Sequence, residues 1–338
     1  MNAVVLVGGE GTRMRPLTET VPKPLLPMID RPFLDHTLDR LASFGIEFVA
    51  LSSPYLEEVF DPFLRSREGR LPRIEWITET TPLGTAGAIA NALDRFNEAF
   101  LVLNGDILTD LDLEALVDFH RSRGSIATIS LAEVDDARPF GLVDIDPNGR
   151  VRAFREKPTD PTSGRVNTGT YVLEPVAMQG VSSTRSVSIE KEVFPALIGS
   201  KVPVYGFLSD AYWMDLGTPE KYLQASYDVL EGRVRGMDYP DPYVGEGVEV
   251  APNAKIEPRV VLGPGTVVGP DAVVADSVLF AKTRVEARAR VKGSILGHAV
   301  RVGANAIVSR SVLAEGAVVP PDGDAKDAKI PPFTVLER

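Results

Sequence analysis

The last third of the 338-residue chain repeats a small aliphatic residue every six positions. One step in three shortens to five from Leu279 onward, so that Leu279 and Leu296 stand 17 positions apart. A hexad repeated three times per turn is typical of a parallel β-helix with triangular coils, because one coil is too small to bury a core alone. We therefore predict a left-handed parallel β-helix of hexapeptide repeats over residues 244–320 and an exposed exit segment over 321–338. The repeated residues are Val244, Val250, Ile256, Leu262, Val268, Val274, Leu279, Val285, Val291, Leu296, Val302, Val308, Leu313 and Val319.

The first two-thirds of the chain alternates strand and helix patterns. Short β-rich runs at 4–7, 46–53, 73–78 and 99–106 are separated by amphipathic helical patterns at 31–45, 55–67, 85–96 and 113–124. This alternation predicts a Rossmann-like, mostly parallel sheet flanked by helices, here over residues 1–236 as the catalytic domain. Such sheets bind ligands beyond the carboxyl ends of their strands.

Composition narrows the chemistry. A net charge of −11 argues against nucleic acid and against a basic membrane-binding surface. Cysteine is absent, which excludes disulfides and thiolate chemistry, and the only histidines are His36, His120 and His298. Catalysis by Asp, Glu, Lys and Arg is therefore expected, which favours phosphates and hard cations as ligands. No apolar run approaches 18 residues and no signal peptide is visible at the N-terminus, so we expect a cytoplasmic protein.

A glycine cluster follows the first strand. In "VVLVGGEGTRMRPLT", Gly8, Gly9 and Gly11 allow a close backbone approach to an oxyanion, and Arg13 adds a guanidinium suited to phosphate oxygens. The stretch is neither a dinucleotide fingerprint nor a Walker A loop, so a simple tight turn is the alternative. Lys23 lies between two prolines, which predicts an extended conformation with a restricted ammonium. A solvent-exposed loop lysine is the other interpretation.

The chain resembles the sugar-1-phosphate nucleotidylyltransferases over residues 1 to about 230. Eight motifs occur in the expected order, and an appended β-helix is also common in that family. The "LVGG", "LGTAGA", "SIEKEVFP" and "WMDLGTPE" segments are closest to the branch of mannose-1-phosphate guanylyltransferases. The motifs are "GGEGTRMRPLTETVPKPLLP", "PLGTAGAI", "VLNGD", "FGLVDID", "FREKP", "VNTGTYVLEP", "SIEKEVFP" and "YWMDLGTPEKY".

The resemblance implies a reaction. A sugar 1-phosphate oxygen attacks the α-phosphorus of a nucleoside triphosphate, and pyrophosphate leaves, which requires positioning and charge neutralisation rather than a protein nucleophile. GTP and mannose 1-phosphate are the expected pair. Base choice depends on few hydrogen bonds, and the triplet "NGD" also occurs in glucose-1-phosphate branches, so glucose-1-phosphate and heptose-1-phosphate relatives are the alternatives.

The resemblance also implies roles for individual residues. Arg13 and Lys23 would bind the reacting phosphates, and both are expected to be catalytic together with Asp106 and Asp215. Glu156 would accept hydrogen bonds from sugar hydroxyls and Lys157 would meet the sugar phosphate. The remaining sugar-phosphate contacts would come from Gly141, Asn167 and Gly169. The nucleotide would be bound by Leu6, Gly8, Gly9, Gly11, Thr12, Arg13, Leu83, Gly84, Thr85, Asn104 and Gly105.

Two carboxylates are the expected ligands of a Mg²⁺ cofactor. Asp106 ends a buried strand and Asp215 lies in "WMDLG". Together with phosphate oxygens and water they would complete an octahedral site, according to the family resemblance. Read without that resemblance, Asp106 is equally suited to cap the helix that "DILTDLDLEAL" begins.

Two other functional classes are compatible with parts of the chain. Hexad β-helices also serve acyltransferases, for which His298 is the candidate general base, although a surface turn residue is the plainer interpretation. A non-catalytic regulatory subunit would be expected to lack Arg13, Lys23 or one of the two aspartates, and all are present. We expect the β-helix to mediate homo-oligomer formation, because exposed coil ends and faces favour symmetric packing.

Overall fold

The computed structural model describes residues 1–9, 11–54, 57–160 and 162–337. The chain forms two compact units, Met1–Gly9 with His36–Trp213, and Glu10–Asp35 with Met214–Arg338. We call these the first and the second unit. No helix within the described ranges is both long and apolar enough to cross a membrane.

A nine-stranded sheet forms the first unit. The strands are β1 (Ala3–Leu6), β2 (Phe48–Ser53), β3 (Arg73–Thr78), β4 (Phe100–Asn104), β5 (Ala127–Val134), β6 (Gly141–Ile145), β7 (Val151–Glu156), β8 (Gly164–Leu173) and β9 (Val204–Leu208). Their order in the sheet is β7-β6-β8-β4-β1-β2-β3, and β5 pairs with β8 and with β9.

The N-terminal half of this sheet confirms the Rossmann-like prediction. β1 runs parallel to β2 and to β4, and β2 runs parallel to β3. β1, β2 and β4 are buried along most of their length, as expected of parallel strands covered by helices. The helices of this part of the chain are α1 (Phe33–Ser43), α2 (Asp61–Ser66), α3 (Gly84–Asn91), α4 (Leu113–Ser122) and α5 (Phe194–Gly199).

Two helices are shorter than predicted. The pattern over 55–67 gives a 3₁₀ turn at Glu57–Val59 and then α2, because Pro62 has no amide proton and suits only a first helical turn. Residues 55 and 56 lie outside the described ranges. The pattern over 85–96 ends as α3 at Asn91 and continues as a 3₁₀ turn at Leu93–Arg95.

The C-terminal half of the sheet adds antiparallel pairs that the alternation did not predict. β8 runs antiparallel to β4, β5 and β6, and β6 pairs antiparallel with β7. The β5–β8 register shifts between Asn167 and Tyr171, where Gly169 has φ +78°. A positive φ in a strand is typical of a bulge, which redirects neighbouring side chains.

A parallel β-helix makes up most of the second unit, in agreement with the predicted left-handed hexapeptide fold. Three parallel sheets run along it, and Leu279 pairs with Leu262 on one side and Leu296 on the other. The predicted residues from Leu262 to Val319 form its buried core. The strands of the three sheets are Tyr243–Val244, Val260–Leu262, Ser277–Leu279, Ile295–Leu296, Val312–Leu313 and Lys329–Ile330; Glu249–Val250, Val267–Val268, Arg284–Val285, Arg301–Val302 and Val318–Val319; and Lys255–Ile256, Val273–Ala275, Arg290–Lys292, Ile307–Ser309 and Asp324–Lys326.

The predicted exit segment at 321–338 is wrong in part. Asp324–Lys326 pairs with Ile307–Ser309, and Lys329–Ile330 pairs with Val312–Leu313. Ala325 and Ile330 belong to the buried core. The charged "DGDAKDAK" sequence concealed this coil because alanine takes the inward position and the charges point outward.

The predicted boundary at residue 236 also differs from the observed units. Residues 10–35 and 214–236 belong to the second unit. Helix α6 (Pro219–Leu230) explains this grouping, since the Tyr222 hydroxyl donates to the Pro27 carbonyl and the Tyr227 hydroxyl donates to the Asp276 carbonyl. Contacts of such long sequence separation leave no periodic signal in the sequence.

Candidate functional site

Five of the nucleotide residues predicted in the first unit lie at the carboxyl ends of β1 and β4: Leu6, Gly8, Gly9, Asn104 and Gly105. The Gly105 amide donates to the Leu6 carbonyl at 2.9 Å, and a Cβ on Gly105 would lie 2.6 Å from that same oxygen. Gly8 is similarly close to Pro54, whereas a Cβ on Gly9 would meet nothing within 4 Å. Leu6, Gly8, Asn104 and Gly105 therefore meet at one edge of the sheet, where parallel folds bind ligands.

The predicted base-reading loop, residues 83–85, is held by Glu79, which is near in sequence, and by Val187, which is distant in sequence. Leu83 donates its amide to Glu79 Oε2 at 2.9 Å, and the Ala86 amide donates to the Val187 carbonyl at 2.9 Å. Gly84 has φ +67° and lies so close to Val187 that a Cβ would be 2.7 Å from its carbonyl oxygen. Glycine is thus required at position 84.

Glu79 was missed by sequence reasoning. It is 7% exposed and also accepts a hydrogen bond from the Ser52 hydroxyl at 3.2 Å. Burial raises the pKa of its carboxyl group, and the bonds from Leu83 and Ser52 oppose that change. Its position four residues before Leu83 resembles a local cap, and this short spacing is the signal that could have identified it.

The predicted sugar contacts Gly141, Glu156 and Lys157 are brought together. Gly141 stands opposite Glu156 in the β6–β7 ladder. A Cβ on Gly141 would lie 2.9 Å from Glu156 Oε2 and 2.6 Å from the Phe154 ring. Lys157 Nζ is 3.7 Å from Glu156 Oε1. A carboxylate and an ammonium side by side can bind hydroxyls and a phosphate of one ligand.

Asn167 and Gly169 form a second cluster around the β8 bulge. Asn167 donates to the Tyr171 hydroxyl at 2.8 Å and accepts from the Gly169 amide at 2.9 Å. A Cβ on Gly169 would lie 2.6 Å from Asn104 Nδ2. Asn104 Oδ1 is buried without a hydrogen-bond partner among the described residues. Since buried polar atoms are normally paired, this oxygen is suited to accept a hydrogen bond from a ligand.

Negative charge surrounds Tyr171, which is fully buried. Burial raises its pKa well above the usual range, and Glu190, Glu156 and Asp106 raise it further. Burial and the charge of Glu190 likewise raise the pKa of Glu156, while Lys157 and Lys191 lower it. The negative charges of Asp106, Glu156 and Glu190 therefore all act on the Tyr171 hydroxyl.

In the second unit, Gly11, Thr12, Arg13 and Lys23 belong to a chain of short 3₁₀ turns. The turns are Thr12–Met14, Leu17–Glu19 and Lys23–Leu25. The predicted extended conformation of Lys23 is wrong, because Pro24 occupies the second position of a turn, where its missing N–H costs nothing. A Cβ on Gly11, at φ +58°, would lie 3.4 Å from Lys23 Cβ.

Arg13 and Asp215 are brought together beside Gly217. A Cβ on Gly217 would lie 2.9 Å from an Arg13 terminal nitrogen and 2.9 Å from Asp215 Oδ1. Lys221, which sequence reasoning missed, donates to Asp215 Oδ2 at 3.2 Å. The second unit thus gathers an arginine, a lysine and a carboxylate around one glycine, an arrangement suited to phosphate oxygens and a cation.

A preformed metal cage is not present among the described residues, where no group of three or more His, Asp or Glu side chains is arranged to hold an ion. Asp106 and Asp215 each offer hard carboxylate oxygens, and Asp215 is 16% exposed. Mg²⁺ commonly takes one or two carboxylates and completes its shell with phosphate oxygens and water. Each carboxylate by itself fits a metal that arrives with a phosphate ligand.

Two family models match the chain. The model for nucleotidyl transferases matches residues 2–232, and the model for the GMPPB C-terminal domain matches residues 239–338. Together they cover the sheet and the β-helix.

Three similar proteins have the same type of name. The mannose-1-phosphate guanylyltransferase of Mycobacterium tuberculosis is 42% identical over 261 residues, which are 75% of this chain and 72% of the relative. The mannose-1-phosphate guanyltransferase of Aspergillus fumigatus is 37% identical over 76% of this chain and 73% of its own length. The mannose-1-phosphate guanyltransferase beta-B of Xenopus laevis is 36% identical with the same coverage.

Solved structures are also similar. HddC from Yersinia pseudotuberculosis matches at a TM-score of 0.59 and 30% identity, covering 67% of this chain and 97% of that chain. HddC complexed with GMP-PN matches at a TM-score of 0.58 with the same identity and coverage.

Proposed function

Because this chain belongs to the nucleotidyl transferase family, we propose that it transfers a guanylyl group from GTP to mannose 1-phosphate, giving GDP-mannose and pyrophosphate. One observation carries the choice of substrates. The Mycobacterium tuberculosis relative, at 42% identity over 75% of this chain, is named for guanylyl transfer to mannose 1-phosphate. The additional match to the GMPPB C-terminal domain supports the same choice.

The chemical step is a single displacement. A phosphate oxygen of mannose 1-phosphate forms a bond to the α-phosphorus of GTP, and the bond from that phosphorus to the β-bridging oxygen breaks. Pyrophosphate carries away the electron pair. Neither a protein nucleophile nor an oxidant is needed, so the protein contributes orientation and charge stabilisation.

Residues of the first unit receive binding roles in this proposal. Leu6, Gly8, Gly9 and the loop 83–85 seat the nucleotide, aided by Asn104 and Gly105. Glu156 accepts hydrogen bonds from mannose hydroxyls, while Lys157 contacts the sugar phosphate. The positions of Gly141 and Lys157 support this assignment. Lys157 places an ammonium beside the Glu156 carboxylate, and Gly141 has no side chain that would crowd that carboxylate.

Residues of the second unit receive phosphate roles. Arg13 holds the triphosphate and stabilises the charge of the leaving pyrophosphate, and Lys23 contacts the reacting phosphates. Gly11 and Thr12 shape the backbone beside them. The position of Arg13 next to Asp215 and Gly217 supports this role, since guanidinium groups bind phosphate oxygens at two points.

Mg²⁺ is the proposed cofactor, with Asp106 and Asp215 as its protein ligands. When bound, the ion would neutralise charge on the phosphates. Asp215 is oriented by the ammonium of Lys221, which occupies its Oδ2.

We further propose that the enzyme is cytoplasmic and forms a homo-oligomer through its β-helix. The first coil supports self-association, because Val244 is 50% exposed and Val250 is 39% exposed although both hold positions that are buried in later coils. Sedimentation at micromolar concentration would show an oligomer, and a clean monomer would refute it.

Pyrophosphate release tests the function directly. GTP, ATP, UTP, CTP and dTTP are each paired with mannose 1-phosphate, glucose 1-phosphate and heptose 1-phosphate in the presence of Mg²⁺. Release that is fastest with GTP and mannose 1-phosphate is the expected result. Release with another pair would keep the reaction and overturn the substrates, and no release from folded protein would overturn both.

A further inference from the structure

Glu190 lies between the two proposed substrate sites of the first unit. It belongs to the π-helical turn Ile189–Val193, whose preceding residue, Ser188, caps it by accepting from the Lys191 amide. Such turns interrupt regular helices and occur often at functional sites. The "SIEKEVFP" segment was part of the family resemblance, but no residue in it received a role.

On one side, Glu190 is bonded to the predicted base-reading loop. Its Oε2 accepts hydrogen bonds from the Thr85 hydroxyl at 2.8 Å and from the Ser188 hydroxyl at 2.6 Å. The Thr85 oxygen in turn accepts from the Ile189 amide at 2.8 Å. The Thr85 hydroxyl therefore both donates to the turn and accepts from it, although the two segments lie 105 positions apart in the sequence. These two bonds fix the position of Thr85.

On the other side, the turn Ile189–Val193 packs against β7, the strand that ends at Glu156. The charge of Glu190 raises the pKa of Glu156 and of buried Tyr171, whose hydroxyl accepts a hydrogen bond from the Asn167 side-chain amide. The charged groups that act on Glu156 are Glu190, Lys157 and Lys191. No hydrogen bond joins Glu190 to Glu156, so this second connection is electrostatic.

We infer that Glu190 is a positioning residue that links the nucleotide loop at Thr85 to the sugar-phosphate site at Glu156. The inference rests on the proposed function. Its carboxylate performs two separable tasks, since accepting the Thr85 bond needs only an oxygen whereas acting on Glu156 needs the charge. If Glu190 only stabilised the fold, a substitution that keeps the acceptor and removes the charge would not separate these two effects.

Steady-state kinetics with GTP and mannose 1-phosphate tests the link. Glu190→Ala should raise the KM for GTP about tenfold, in keeping with the loss of hydrogen bonds to a charged group. Glu190→Gln retains an acceptor for Thr85 and should restore the KM for GTP to within about twofold. The same variant should move the acid limb of the mannose 1-phosphate KM to lower pH, because Glu156 loses a neighbouring negative charge.

A double-mutant cycle isolates the Thr85–Glu190 bond. Thr85→Val alone should raise the KM for GTP about tenfold. The double variant Thr85→Val with Glu190→Ala should have a KM for GTP no higher than that of the more impaired single variant, because the bond can be lost only once. Thr85→Ser should restore activity. Additive effects, or an unchanged KM for GTP in Glu190→Ala, would overturn the inference.

Two controls keep the outcomes distinct. Thermal unfolding establishes that each variant is folded, and if Glu190→Ala is not, the near-isosteric Glu190→Gln and Thr85→Val carry the test. A wild-type protein that makes no product would refute the proposed function. In that case calorimetric titration with GTP tests the link, where about tenfold weaker binding by Thr85→Val supports it and equal binding refutes it.

Discussion

Gly141 and Glu156 face each other across the antiparallel ladder, and the absence of a side chain at Gly141 leaves room for the carboxylate. A Cβ at position 141 would lie 2.9 Å from Glu156 Oε2, closer than side chains tolerate. The sugar end of the proposed site therefore depends on the absence of a side chain at Gly141 as well as on the charge of Glu156.

Gly141→Ala should raise the KM for mannose 1-phosphate at least about tenfold, because displacing Glu156 removes hydrogen bonds to a charged acceptor. The KM for GTP should change little. Gly199→Ala is the matched control, since a Cβ there meets nothing within 4 Å and the residue ends a helix. An equal effect of both substitutions would contradict the proposed position of the sugar.

The affinity for mannose 1-phosphate should depend on the ionisation of Glu156. Burial, with a contribution from Glu190, raises the pKa of this carboxyl group above its ordinary value of 4.5. The ionised form accepts sugar hydroxyls, so binding weakens as pH falls through the raised pKa. The ratio of KM in Glu156→Gln to KM in the wild type cancels the ionisation of the substrate. We expect this ratio to fall to half its plateau at a pH above 4.5, and a pH-independent ratio would contradict the role of Glu156.

Arg13→Ala should lower kcat about 10²- to 10³-fold, the effect of removing one donor to developing charge. Circular dichroism should show an unchanged fold because the side chain is exposed. Arg301→Ala, on an exposed β-helix strand, is the matched control and should retain full activity. Turnover by Arg13→Ala near the wild-type rate would refute its phosphate role.

Metal removal should abolish turnover. We expect EDTA to stop the reaction and Mg²⁺ to restore it, with Asp106→Asn and Asp215→Asn each needing about tenfold more Mg²⁺ for half-maximal rate, since each loses the negative charge of one ligand. Asp324→Asn, an exposed β-helix residue, should match the wild type. An unchanged Mg²⁺ requirement in either variant would exclude that aspartate as a ligand.

The β-helix should lose stability when one inward residue is truncated. Leu296 is fully buried, so Leu296→Ala should reduce the free energy of unfolding by about 2–5 kcal/mol, measured by chemical denaturation of this unit. Ile307→Ala removes an aliphatic side chain that is 44% exposed and should cost less than about 1 kcal/mol. Similar losses would contradict the observed register.

Local periodicity made much of the fold predictable. A parallel β-helix repeats its core position in every hexad, and each aliphatic residue from Leu262 to Val319 therefore signals its own burial. The prediction failed at Ala325, where a small residue carries little hydrophobic signal between charged neighbours. It also failed at Lys23, where the preference of a residue before proline gave way to a 3₁₀ turn.

The candidate site was less accessible to sequence reasoning. Motifs indicated Gly141, Glu156 and Asn167, but the contact of Thr85 with Glu190 depends on how the chain folds back. The Thr85–Glu190 bond spans 105 positions, which no local pattern records. Glu79, four residues from Leu83, and Lys221, six residues from Asp215, lie close in sequence to their partners.

A competition assay tests the central claim most directly. The protein is given mannose 1-phosphate, Mg²⁺ and an equimolar mixture of GTP, ATP, UTP, CTP and dTTP, and the nucleotide sugars formed are identified by mass spectrometry. Under competition the products report the ratio of kcat/KM values, which is the measure of specificity. We predict GDP-mannose as the dominant product. A different nucleotide-mannose in excess, or no nucleotide sugar from folded protein, would contradict the account.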